Sequence, residues 1–353
     1  MSKLQLNTFT LGIVAVIILG IIIGLEYIFP HGSGGTLLLT LTFWIALVQG
    51  TVAVAAAGDA TNSKWIGPLK KELLAFHPLI LFMAFLFLFL GLKMDVFPWF
   101  ENQNRWLNTP FFLTRNFVLL VISYFLARFY AKATLRNSPN KGNLAVLYLF
   151  FFVFSESLVA FDWVMSLEYP WVSTLFGGIF FMESFYAGLA IAALIAAYYV
   201  KNGIEDQTVM TKVLRDTATF TFGFSLAWAG LFYSQFLVIW YGNLPEETSY
   251  LVRRMHYSPY DILFYLSIFL LFIAPFVGLI SKRAKVIPNW VRMIALVVLA
   301  GVFIERILFI LPDASMNVFS AILETVLMGF LLLLFFVNRE RVMGYAGTER
   351  SDR

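Results

Sequence analysis

Apolar residues fall into ten long runs separated by short polar breaks. The runs cover roughly 9–29, 37–57, 73–93, 110–131, 144–165, 173–200, 217–242, 259–281, 289–311 and 317–338. Each is long enough to cross about 30 Å of hydrocarbon as a helix. Turn and breaker residues divide them: Pro30 with the GSGG of 32–35, then Pro68, Pro98, Pro110, Pro139, Pro170, Pro245, Pro288 and Pro312. The longest polar connections, near 94–109 and 243–258, are too short for a soluble domain. The pattern predicts an all-α integral membrane protein, a single polytopic domain over residues 1–353 with about ten transmembrane helices. The first run resembles a signal peptide in length, but no small-residue cleavage site follows it, so it reads as a retained helix.

Composition agrees with this reading. Hydrophobic residues make up 60% of the chain, charged residues 13%, and mean hydropathy is +0.80; a soluble domain carries about 25% charge. The net charge of +4 does not point to nucleic acid, because the basic residues follow the topology. Nineteen lie on one side: Lys3; Lys64, Lys70 and Lys71; Arg128, Lys132, Arg136 and Lys141; Lys201, Lys212 and Arg215; Lys282, Arg283, Lys285 and Arg292; Arg339, Arg341, Arg350 and Arg353. Five lie on the other: Lys93, Arg105, Arg115, Arg253 and Arg254. Arg306 falls inside a span. The bias predicts both termini in the cytoplasm of a bacterial inner membrane, which requires an even number of crossings.

The chain has no cysteine, which excludes iron–sulfur clusters, thioether-linked haem and disulfides within it. Its three histidines, His31, His77 and His256, cannot supply two facing axial ligands at one depth. No haem and no metal site is expected, and His77 reads as a polar group at a helix end. Trp99, Trp106, Trp163, Trp171, Trp240 and Tyr241 are expected to form an aromatic belt at the outer interface. The Phe-rich run at 81–92 is expected to face lipid or to pack between helices.

Ionisable groups inside spans are costly, which makes them candidates for function. Glu26, Glu156, Asp162, Glu183, Glu305 and Glu324 all fall between mid-membrane and the outer surface, where Asp261 opens the eighth run. Ser155 and Asp162 share a helix face, with Glu156 on the next one. Glu183 lies near mid-membrane with no cation close in sequence, so it is expected to be neutral and able to pass a proton. Tyr186, one turn on, is placed to hydrogen-bond it. Arg115 and Arg306 are the outer-half cations. Glu305 and Arg306 are adjacent and cannot face each other, so each is expected to pair with another helix. Two readings stand: interhelical ion pairs that hold the bundle, with Arg115 and Arg306 as the structural cations, or a proton path through Glu183, Tyr186, Glu156, Asp162, Glu324 and Glu305.

Three stretches carry a resemblance: RWLNTPFFLTRNF at 105–117, SLVAFDWVMSLEYPWVSTLFGGIFF at 157–181, and YSQFLVIWYGNLPEETSYLVRR at 233–254. With WIGPLKKE at 65–72 and GVFIERILFILP at 301–312, they resemble the ActF-type membrane subunit of bacterial alternative complex III, related to NrfD/PsrC-like anchors. The resemblance implies two four-helix bundles with peripheral helices. It implies a non-redox subunit of a respiratory or photosynthetic quinol-oxidising complex, with scaffold and proton-path roles near a periplasmic quinol site. The implied partners are an iron–sulfur subunit, multihaem and monohaem cytochromes c, and a sister NrfD-like quinol-binding subunit. No bound cofactor is implied, beyond menaquinol, ubiquinol or lipid at a subunit interface. Within NLPEETSYLVRR, Glu246, Glu247, Arg253 and Arg254 offer charges for docking a periplasmic subunit, or form a plain solvated loop. The chain departs from the sister-type pattern in lacking a histidine in the outer half of its spans. Two alternatives remain: an anchor for another molybdopterin or iron–sulfur quinone oxidoreductase, and a secondary transporter. A transporter is expected to show repeat symmetry, and no repeat is visible in the sequence.

Overall fold

The computed structural model describes residues 6–28 and 34–344; Lys3, Pro30, His31, Gly32, Ser33, Arg350 and Arg353, used above, lie outside them. Among the described residues there is no strand, and ten helices are long and apolar enough to cross a membrane. They are α1 (Thr8–Ile28), α2 (Gly35–Ala60), α3 (Gly67–Leu92), α4 (Thr109–Leu135), α5 (Lys141–Glu168), α6 (Phe176–Asn202), α7 (Gln207–Gly242), α8 (Tyr260–Leu279), α9 (Pro288–Ile310) and α10 (Val318–Val337). The protein is a multi-pass, all-α membrane protein.

The helices follow the apolar runs with one large extension. Hydropathy starts α7 at 217, whereas the helix starts at 207, because its first turns are amphipathic. Met210, Val213, Leu214 and Thr217 are buried there while Lys212 and Arg215 face outward. The Asp206 side chain caps this end by accepting from the Thr208 and Val209 amides at 2.8 and 3.3 Å. At 36 residues, α7 is about 54 Å long, so it reaches beyond the hydrocarbon. A second difference is a helix, Pro245–His256, in the expected polar connection. Glu246 and Glu247 occupy its first turn and Arg253, Arg254 and His256 its last, which suits the helix dipole.

Helices α2, α3, α4 and α5 close one four-helix group, with contacts between α2 and α3, α3 and α4, α4 and α5, and α5 and α2. Helices α6, α7, α8 and α9 close a second group in the same order. The two groups meet along α2 and α6; α10 packs on α2 at the periphery, and α1 packs on α10 and α3. Every residue in the apolar window of α2 is buried. Its approach to α6 is set by two glycines. A methyl on Gly50 would strike the Ser184 carbonyl, and one on Gly188 would strike the Gly50 carbonyl. Small residues let the two backbones touch, which is how helices gain packing where lipid offers no hydrophobic drive.

The even crossing number brings the start of α1 and the end of α10 to one face, where the Leu6 amide donates to Asn338 Oδ1 at 2.7 Å. The aromatic belt needs correction. Trp106, Trp240 and Tyr241 are exposed, but Trp99, Trp163 and Trp171 are buried. The 94–109 connection folds back onto the helix ends, and Trp99 packs on Phe97 and Phe112. Trp163 stacks on Phe87 and donates to Asn116 Oδ1 at 2.9 Å. Trp171 lies flat on Tyr250 at 3.9 Å. The Phe-rich run serves both expected roles: Phe82 and Phe87 are buried, whereas Phe85 and Leu92 are exposed.

Candidate functional site

The second helix group holds a fully buried charged cluster. Arg306 of α9 reaches α6, where its Nη1 lies 2.8 Å from Glu183 Oε2 and both side chains are shielded from solvent. The guanidinium N–H bonds are not aligned on that oxygen, so charge rather than directed hydrogen bonding holds the pair. Its planar face lies 3.7 Å from the Phe180 ring. Residue 305 is rotated about 100° from residue 306 on the helix, which turns Glu305 to α7. Trp228 Nε1 of α7 bridges two acids, donating to Glu183 Oε1 at 3.0 Å and to Glu305 Oε2 at 3.2 Å. Glu305 and Glu183 are also in direct contact. Glu156 of α5 takes a 2.7 Å hydrogen bond from Ser184 Oγ and feels the charges of Arg306 and Glu183. Glu305 and Arg306 each find their partners on other helices.

Three carboxyls therefore share one guanidinium. Ionising all of them would leave two uncompensated charges in a dry interior, at a cost of several kcal/mol each. The charge-balanced state has one carboxylate and two neutral carboxyls. This corrects the reading of Glu183 as an acid without a cation: its partner comes from α9, distant in sequence. Tyr186 is not bonded to Glu183 either. Its hydroxyl donates to the Leu271 carbonyl at 3.2 Å. Leu271 lies in a π turn of α8, Phe269–Ile273, which loosens the ladder and frees carbonyls.

From Glu305 the cluster faces a cavity of about 30 Å³, enough for one water molecule. Gln235, Tyr250 and Arg254 line it with Glu305, and Gln235 Oε1 makes no hydrogen bond among the described residues. Beyond it is a second charged group at the membrane surface. Arg254 Nη2 lies 2.8 Å from Glu168 Oε2 and 3.4 Å from Asp313 Oδ2. Arg253 Nη1 lies 2.6 Å from Asp313 Oδ1, and Arg253 also donates to the Pro312 carbonyl. Burial, with the adjoining Glu168 carboxyl, pushes Asp313 up to about 7. Arg254 is only 2% exposed, so it is an internal ion-pair residue and not a docking group. Glu246 and Glu247, at the other end of the same helix, face outward or lie half-buried.

The remaining candidates lie apart from this line. Asp162 occupies a π turn of α5, Ala160–Val164, and is held by α4. Arg115 Nη2 and Asn116 Nδ2 each lie 2.7 Å from its Oδ2. Arg115 in turn lies over Trp106 at 4.1 Å. Glu324 of α10 accepts from Thr40 Oγ1 at 2.5 Å and contacts Glu26, whose Oε2 is 3.4 Å from Lys93 Nζ. This group borders a cavity of about 600 Å³ between α1 and α3. His77 is buried with Nδ1 2.8 Å from the Leu74 carbonyl, the helix-end role expected of it.

Ser184, Trp228, Gln235, Glu168 and Asp313 were missed by sequence reasoning. Ser184, Trp228 and Gln235 are ordinary polar residues within apolar runs. Glu168 and Asp313 fall at helix ends, where hydropathy gives a carboxylate no weight. Among the described residues, no group of three or more His, Cys, Asp or Glu side chains is arranged to hold a metal ion. No protein-family model matches the chain, and no curated protein matches it.

Proposed function

We propose that this chain is the non-redox membrane subunit of a quinol-oxidising electron-transfer complex of the alternative complex III kind, in a bacterial inner membrane. In this reading it is a scaffold that also conducts protons. The observation that carries the proposal is the convergence of Glu156, Glu183 and Glu305 on the single cation Arg306. Carboxyls in contact in a dry interior exchange a proton without creating an uncompensated charge, provided their total charge stays fixed. Ser184 supplies a hydroxyl between α6 and Glu156. Glu305 hands the proton across the small cavity toward Arg254, Glu168 and Asp313, whose acid poised near 7 suits release at a surface. Asp162 and Glu324, included in the route expected from sequence, belong to separate ion-pair groups and are left out of it. The redox groups and the quinol belong to partner subunits: an iron–sulfur protein, cytochromes c and a sister membrane subunit, docking near Glu246 and Glu247.

The test is Glu305→Gln in the intact complex. Glutamine keeps the acceptor for Trp228 but removes the exchangeable acid. Normal assembly with quinol-dependent proton release reduced at least about a hundredfold is expected, the scale of a lost acid–base group. Wild-type release in that variant removes Glu305 from the route. Recovery of a molybdopterin enzyme as the copurifying partner would favour an anchor of that other kind.

A secondary transporter is the second reading, and one observation favours it: the two four-helix groups repeat the same packing order, as parallel repeats do. Solute uptake by the chain alone in vesicles, driven by a proton gradient and lost in Glu305→Gln, would select that reading instead.

A further inference from the structure

A third cavity, of about 400 Å³, opens at the membrane face where α1 begins and where α4 and α10 end. That volume is within the usual range for ligand pockets, about 300–1,000 Å³. Its apolar wall comes from Leu11, Ala131, Leu135 and Phe335. Its polar side holds His77 from α3 with Arg128 and Lys132 from α4, beside the hydroxyl side chains of Thr8 and Tyr124, and no carboxylate among the described residues lines it. Both cations act electrostatically on His77, so the three groups converge.

Arg128 and Lys132 are four residues apart on one helix face, an arrangement in which like charges repel. Among the described residues neither lies within ion-pair distance of a carboxylate. Arg128 Nη1 lies 2.6 Å from the Tyr124 hydroxyl, itself part of the cavity wall. Along the same helix Ile122, Phe125 and Phe129 are exposed, forming an apolar stripe that leads from mid-membrane to the two cations. Apolar surface ending in fixed positive charge at headgroup depth matches a lipid with an acyl chain and an anionic head.

We infer that this cavity binds one anionic phospholipid, with the phosphate on Arg128 and Lys132 and an acyl chain against Leu11 and Phe335. A zwitterionic head fits less well, since its ammonium would lie beside the two cations Arg128 and Lys132. The face is the one that carries most of the chain's Lys and Arg. It is opposite the face of Asp313, so the inference stands independently of the proposed proton route.

Native mass spectrometry of the intact protein, released from its membrane in mild detergent, tests this. Phosphatidylglycerol, phosphatidylcholine and phosphatidylethanolamine are titrated in turn. The wild type should retain one phosphatidylglycerol with about a tenfold preference over either zwitterion, the scale of one charge-assisted contact. The preference should vanish in Arg128→Gln/Lys132→Gln and survive in Arg128→Lys. The wild-type titration needs no variant, so a poorly folding double mutant does not spoil the test. Equal retention of all three lipids overturns the inference, as does unchanged phosphatidylglycerol binding in a folded double variant. A protein subunit found covering the cavity with no lipid retained also overturns it.

Discussion

Arg306 and Glu183 meet at 2.8 Å with both side chains fully buried, α9 reaching across to α6 inside the second helix group. Glu305 and Trp228 crowd the same point. The guanidinium therefore decides how many of the surrounding acids are charged. Any change to it alters the protonation of the whole cluster.

Replacing Arg306 with Met should be strongly destabilising, by about 3–5 kcal/mol, because a carboxylate is left buried without a partner. Adding Glu183→Gln should recover most of that loss, since the pair is then uncharged. Thermal midpoints of the detergent-solubilised variants measure both effects. A double variant no better than the single one would show that the arginine acts through packing on Phe180 instead.

Glu183→Gln alone leaves Arg306 to recruit Glu305 or Glu156 as its anion. One acid is then withdrawn from exchange, so turnover should fall while assembly persists. On the function proposed above, quinol oxidation and proton release in the intact complex are the readouts. Wild-type values for both would take Glu183 out of the route.

Asp313 should give the stability a pH dependence. Its folded value, near 7, is above the ordinary value of about 3.9 for an aspartate in an unfolded chain. Between those values the folded state holds the extra proton, so stability falls as pH rises from about 4 to about 7. Below about 4 this contribution is fully present, and above about 7 it is lost. Thermal midpoints across that range should fall in the wild type and flatten in Asp313→Asn.

Gly188→Ala should impair folding although alanine is a good helix former. Its methyl would press on the Gly50 backbone, and overpacking of this kind costs about 1–3 kcal/mol. Yield of monodisperse protein and its thermal midpoint report the loss. Gly223→Ala, where no atom lies within 4 Å of the added carbon, serves as the control and should be neutral or mildly stabilising.

Orientation is open to direct test because the chain contains no cysteine. A single cysteine at 246 should react with an impermeant maleimide from outside intact cells. One at 212 should react only after permeabilisation, given the distribution of basic residues. The reverse pattern would invert the topology.

Ten spans were legible because a bilayer demands long apolar runs and marks their ends with breakers. The pairing of Glu183 with Arg306 was not, since sequence distance carries no information about which helices adjoin. Trp163 misled for a related reason. Amphipathic rings suit the interface, yet the Asn116 acceptor on α4 gives this one an equally good place inside. Helix Pro245–His256 was invisible to hydropathy because its apolar face is narrow, anchored by Tyr250 against Trp171. The matching order of the two helix groups left no mark either, since packing order can persist without side-chain identity.

The tight crossing of α2 on α6 also has a consequence in time. Gly50 leaves the ribosome about 140 residues before Gly188, and at about 5–20 residues per second that is an interval of about 7–28 s. During that period α3, α4 and α5 emerge in turn, while the surface of α2 that will touch α6 still lacks its partner. A helix destined for complete enclosure must therefore first leave that face without its partner, and its largely apolar sequence, with a glycine at the crossing, meets both demands. Slowing translation between α2 and α6 should prolong a protease-sensitive nascent state, and arrival of α6 should end it.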